Sequence, residues 1–209
     1  MESHTMSQRI GKTHWKRFAV GAVPTVAATA AVAVSMAQGA LAASFSISGS
    51  DFQVSAGKLS GTGFGNYATV DVAKNGKHVP VSVSSIKNAT VTDMCQSVPV
   101  DIPVLGTYTM TLKAGGSGTP VKAKDLYIDM TDLQAKTGTF RNVDIGVATG
   151  SMTKGQVNPK DHVDPDGYAQ QADSVEIIDA HQKVWATTAG TFELAGLHMN
   201  ITAGRHNCF

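Results

Sequence analysis

The stretch Asp125-Leu126-Tyr127-Ile128-Asp129-Met130-Thr131-Asp132-Leu133-Gln134-Ala135-Lys136-Thr137-Gly138-Thr139-Phe140-Arg141-Asn142-Val143-Asp144-Ile145-Gly146-Val147-Ala148 decides the fold. Leu126, Ile128 and Met130 alternate with polar residues or Tyr127, so they share one face of a strand. The apolar positions then change parity to Leu133 and Ala135. Within an alternating strand, a change of parity means an extra residue, that is, a β-bulge or a bend. Lys136-Thr137-Gly138 reads as a turn and Phe140 as the start of a return arm. Parity changes again at Val143, Ile145 and Val147. Bends on both arms of one hairpin imply a sharply curved sheet.

The same habit recurs outward from this unit. Val175 and Ile177 lead through Val184 to an expected turn at Thr188-Ala189-Gly190, followed by Phe192 and Leu194. A fainter version spans 52–72, with Leu59, a turn at Gly61-Thr62-Gly63, and Phe64. Val70 and Val72 run into Asn75-Gly76, a favoured two-residue hairpin turn, and Val79, Val81 and Val83 resume beyond it. Helical periodicity is almost absent. The expected fold is all-β: a curved antiparallel sheet or sandwich of bent hairpins, following a cleavable N-terminal signal helix. A β-solenoid is the alternative, and the short Gly turns favour the hairpins. Residues 149–170 interrupt the pattern with Gly150, Gly155, Pro159, Pro165 and Gly167. A polar excursion of that length is the first place to look for a site.

The beginning of the chain reads as an export leader. Arg9, Lys12, Lys16 and Arg17 precede an uncharged run at 18–37, and Ala40-Leu41-Ala42 places small residues before a cut between Ala42 and Ala43. Residues 1–42 are therefore expected to be a signal peptide and 43–209 a single β domain, secreted or held at the cell surface. With 17 basic and 16 acidic residues overall, and four of the basic ones in the leader, the remaining chain is close to neutral. A chain without basic clusters argues against nucleic acid as a partner. Two cysteines, Cys95 and Cys208, in an oxidising compartment imply one disulfide.

Several motifs are distinctive: Met6-Ser7-Gln8-Arg9-Ile10-Gly11-Lys12, Met94-Cys95-Gln96-Ser97, Lys124-Asp125-Leu126-Tyr127-Ile128-Asp129, Gly167-Tyr168-Ala169-Gln170-Gln171-Ala172-Asp173, and Trp185-Ala186-Thr187-Thr188-Ala189-Gly190-Thr191-Phe192. Together they resemble a family of exported proteins from Streptomyces and related actinobacteria, of unknown function and often labelled cholesterol esterase. The resemblance spans nearly the whole chain from Met6. It implies a secreted Gram-positive protein and no established active site.

The chemistry of the residues gives the esterase label little support. Gly115-Gly116-Ser117-Gly118-Thr119 lacks the final Gly of a nucleophile elbow and no helix follows it, so Ser117 reads as a loop residue. His78, His162, His181, His198 and His206 are available, but a triad is recognised by geometry and not by availability. His162-Val163-Asp164-Pro165-Asp166-Gly167, with Asp173 eleven residues after His162, is an incomplete calcium-loop pattern. Asp164, Asp166 and Asp173 are the candidate Ca2+ ligands, against the plainer reading of Asp-Pro-Asp-Gly as a turn. Trp185 and the tyrosines fit either a ligand groove or core packing. The expected function is a non-catalytic extracellular or cell-surface protein whose curved sheet offers an apolar concavity to a lipid-like hydrophobic molecule or to a copy of itself. A lipid ester hydrolase and a structural envelope component are the alternatives.

Overall fold

The computed structural model describes residues 48–209. The expected leader and the Ala42–Ala43 cleavage point lie outside the described residues. Ten strands follow in chain order: β1 Phe52–Val72, β2 His78–Thr92, β3 Met94–Ile102, β4 Gly106–Ala114, β5 Val121–Gln134, β6 Thr137–Arg141, β7 Asp144–Ala148, β8 Tyr168–Thr188, β9 Thr191–Glu193 and β10 His198–Ala203. Every pairing is antiparallel. Among the described residues the one helical element is a single 3-10 turn at Thr149–Ser151. The fold is the curved antiparallel sheet that the alternation implies, and no parallel coil of a solenoid is present among these residues.

The strands join into a few long courses. β2 and β3 both lie along β1, from Val72 opposite His78 to Gln53 opposite Ser97, without a change of register. β5, β6 and β7 lie one after another along β8, which pairs on its other edge with β1. Because β2 also pairs with β5, the hydrogen bonding returns on itself. It does not return to the same level. Stepping from Tyr127 to Ser85, Gly65 and Gln171, partner by partner, reaches Asp144, far along the course that holds Tyr127. The sheet is thus a coiled ribbon that pairs with its own next winding, not a barrel of level rings. β3, β4 and β10 extend from it as a three-stranded blade.

Three expected turns are not reversals. Thr137–Arg141 continues the line of β5 against Ile178 to Ser174. Beyond Gly190, β9 continues the line of β8 against Lys122–Lys124 of β5. Gly61-Thr62-Gly63 lies inside the 21-residue β1. At Gly63 the physical cause is a left-handed residue set into the running strand, which turns the side chains over without turning the chain; at the other two the left-handed residue is on the partner strand, Asp179 (φ 52°) beside Lys136 and Asp125 beside Gly190. Gly63 has φ 68°, Asp125 48° and Asn142 51°, and the ladders of β1 with β2 and β8 both skip the rung at Gly63. The parity change after Met130 is a register shift against β8, as expected from the alternation.

Two cores lie on opposite faces of β5. Leu126, Ile128 and Met130 join Leu59, Phe64, Ile86, Val175 and Val184 in one. Tyr127, from the other face, joins Tyr67, Val81, Val83 and Trp185 in the second. Residues 149–167 cover the second core, packing Met152, Val157 and Val163 onto it. The loop sits so close that Gly155 rests on the backbone of Gly65. A Cβ at Gly155 would stand 2.6 Å from Gly65 N and 2.7 Å from Phe64 O, atoms held by two ladders. Gly155→Ala is therefore expected to lift the loop and to cost about 1–3 kcal/mol in urea unfolding. An unchanged midpoint would mean that the contact is not a constraint.

Candidate functional site

The loop closes at its neck through Thr149 N–H to Gly167 O and Gly150 N–H to Pro165 O, both 2.8 Å. Gln171 on β8 anchors its first half: its Oε1 accepts from Thr153 N at 2.7 Å and Lys154 N at 2.9 Å, and its Nε2 donates to Asp144 Oδ2 at 3.0 Å. Lys154 Nζ meets the same Asp144 oxygen at 2.8 Å, and its hydrogen bond holds that carboxyl below the usual carboxylate range. Tyr67 anchors the second half from β1. Its hydroxyl donates to Asp161 Oδ2 at 2.7 Å and accepts from Asn158 N–H at 2.9 Å.

Beneath this second half lies a cavity of about 20 Å3 whose walls include Asp71, Asp129 and Asp161. Asp129 is only 5% exposed. Its Oδ1 and the Oδ2 of Asp71 are buried without a hydrogen-bond partner. Burial pushes the Asp129 carboxyl up to about 8, and the charges of Asp71 and Asp161 add to the effect. Burial, then the charge of Asp161, raises Asp71 to about 6. Asp161 is raised by burial as well, against the pull of the Tyr67 hydrogen bond and of the His162 charge. An acid that cannot shed its charge into water keeps its proton instead.

A second concavity lies on another part of the molecule. It is a groove of about 540 Å3 bordered by Phe52 of β1, Leu112 of β4, Ala189, Phe192 and Leu194, by the polar residues Ser48, Gln96 and Thr187, and by Trp185 of β8, whose ring packs in the second core. The Gly190 turn that is not a reversal helps bring these residues together, because β9 must continue past it for Phe192 to reach the groove. The groove runs on to the face of the blade. Met110 shares the side of Leu112 and is flanked by Val98 and Ile201 on its neighbours. Met110 is 38% exposed, Met199 54% and Ile201 59%.

The expected calcium ligands do not converge. Asp164 Oδ1 accepts from Asp166 N–H at 3.0 Å, an Asx turn within its own loop. Asp173 lies on β8 and accepts from Asn142 Nδ2 at 2.7 Å. Among the described residues no group of three His, Cys, Asp or Glu side chains is arranged to hold a metal ion. Asp173 stands at the right sequence distance, but the strand carries it away to pair with Asn142. Ser117, at φ 57°, sits in the turn that Thr119 N–H closes onto Gly116 O. Cys95 and Cys208 form the expected disulfide. Asp71 and Asp129, which meet in the cavity, carry no local signal in the sequence; Asp129 follows a strand pattern that looks amphipathic in the ordinary way.

A family model described as a family of unknown function (DUF6230) matches residues 48–209. No curated protein and no solved structure matches the chain.

Proposed function

We propose that this chain, which belongs to the family of unknown function DUF6230, is an exported, non-catalytic extracellular or cell-surface protein that seats a lipid-like hydrophobic molecule in its apolar groove. The observation that carries the reading is the groove itself. Several courses of the sheet turn apolar side chains toward one open space of about 540 Å3, within the size range of small-molecule sites. The polar residues Ser48, Gln96 and Thr187 in its lining suit an amphiphile with a polar head. The export leader and the resemblance to secreted actinobacterial proteins support the compartment.

Isothermal titration calorimetry with a long-chain fatty acid or a steroid should register binding in the groove. Phe192→Glu places a charge in the groove at a side chain already 38% exposed. The variant is expected to bind at least about tenfold more weakly, since each buried aromatic or aliphatic contact contributes about 1.5–3 kcal/mol. Its thermal midpoint should stay near that of the parent. No binding heat with either ligand, and no lipid in native mass spectra of the gently purified protein, would remove the reading. Turnover of a chromogenic ester would favour hydrolysis of the same ligand class instead.

Self-association has one observation in its favour. β10 is an outer strand of the sheet, and its Met199 and Ile201 are more than half exposed. An apolar edge strand without Lys or Pro is a template for pairing. A monomer in size-exclusion chromatography at high concentration would count against it.

A further inference from the structure

The carboxylates under the loop lie apart from the groove and serve no purpose there. Three acids from three elements, β1, β5 and the loop, face one small cavity, and two of their oxygens are buried unpartnered. Everything that seals the cavity from above belongs to the loop: Asn158, Lys160, Asp161 and His162. We propose that the second half of the 149–167 loop is a pH-governed latch, closed over Tyr67 while Asp129 and Asp71 carry protons and released when both ionise beside Asp161.

The groups around Asp129 define the device. On β1 these are Tyr67 and Asp71. From the loop come Lys160, Asp161 and His162. On β2 and β8 the register partners are Val83 and Ala186, which are apolar and buried. On β5 itself the nearest ionisable neighbour is Tyr127, which burial keeps protonated beyond its ordinary range. At Asp129 the side free to move is the loop, because β5 is held there by β2 and β8, while Asp71 lies past the last β1–β8 rung and is paired with β2. Lifting the loop lets water reach Asp129, which then ionises in the ordinary carboxylate range. The opened form therefore releases protons that the closed form retains. Opening becomes more favourable by up to about a hundredfold per pH unit between pH 4 and pH 6, where both acids hold protons that the opened form has lost, and by up to about tenfold per unit from there to pH 8, levelling off above that. The latch contacts that break are named: Asn158 N–H to Tyr67 Oη, Tyr67 Oη to Asp161, and Thr69 Oγ1 to His162 O at 3.0 Å.

Amide hydrogen exchange of the intact protein, corrected for intrinsic rates, tests this between pH 5 and pH 8. Protection of the Asn158 amide is expected to fall about tenfold or more, while the amides of β1 that face β8 keep theirs. Asp129→Asn should abolish most of the fall. Should that variant not fold, Asp71→Asn is the second probe and should remove the part below pH 6. Constant protection across the range overturns the proposal, as does an undiminished fall in both variants. Loss of β1 protection in step with the loop overturns it too, because that would be unfolding of the whole sheet.

Discussion

Replacing Cys95 and Cys208 together by alanine is expected to lower stability by about 2–5 kcal/mol, the largest loss from any single covalent change in this molecule. The bond joins positions 113 residues apart, so it closes a long loop in the unfolded ensemble and removes conformational entropy from it. In the chain-entropy account that is about 4–5 kcal/mol. It also pins the C-terminal tail across the polar side of the blade. Cys208 N–H donates to Ser97 Oγ at 3.1 Å and His206 N–H to Thr109 Oγ1 at 3.0 Å, and both hydroxyl residues are fully buried. Phe209 stacks on His181 with ring centroids 4.4 Å apart. Without the bond these weak contacts must hold the tail alone. Urea unfolding checks the expectation twice over. The midpoint should fall, and the slope should rise, because an uncrosslinked chain expands further when unfolded. A midpoint shift below 1 kcal/mol would mean that the tail's hydrogen bonds already suffice.

At pH 8, Asp129→Asn is expected to be more stable than the parent by up to about 5 kcal/mol. Asp129 is raised from 3.8 to about 8 in the folded protein, so between those values the folded state holds a proton that the unfolded state has released. Stability from this group is complete below pH 4 and is lost as pH rises through 8. Asp71, raised to about 6, contributes in the same direction over the lower half of that window. Asp144 and Glu176 are lowered by Lys154 and Lys58 and act in the opposite sense, losing stability as the solution becomes acidic. These two are surface groups and their effect is small. Thermal melts followed by circular dichroism should therefore slope downward from pH 4 to pH 8 for the parent, and for Asp129→Asn only below about pH 6, where Asp71 still titrates. Parallel curves would mean that Asp129 is charged in the folded state after all.

The alternation of Leu126, Ile128 and Met130 was enough to read strands and a curved antiparallel sheet, and the parity change at Leu133 was enough to read a bulge. Direction was not legible. Gly61-Thr62-Gly63, Lys136-Thr137-Gly138 and Thr188-Ala189-Gly190 have the composition of turns, yet in each case the strand runs straight on. A Gly serves a reversal and a running strand equally well, and only the partner strand decides between them. Gly63 illustrates the point, since β2 and β8 hold it in register on either side. The loop at 149–167 stood out by its Pro and Gly content. Its partners did not, because Asp71 and Asp129 are brought beneath it by two strands distant in sequence. The same holds for the groove, where Phe52, Leu112 and Phe192 are neighbours only after the sheet has coiled.

The pairing of β1 with β8 sets a condition on how the chain can be made. Phe52 finds Val184, and Tyr67 finds Ala169, so the opening strand waits for the closing one. Such distant partners make for slow acquisition of structure. During synthesis one border of β1 stays bare until most of the polypeptide has emerged. A chain of this kind completes its sheet only after β8 has arrived.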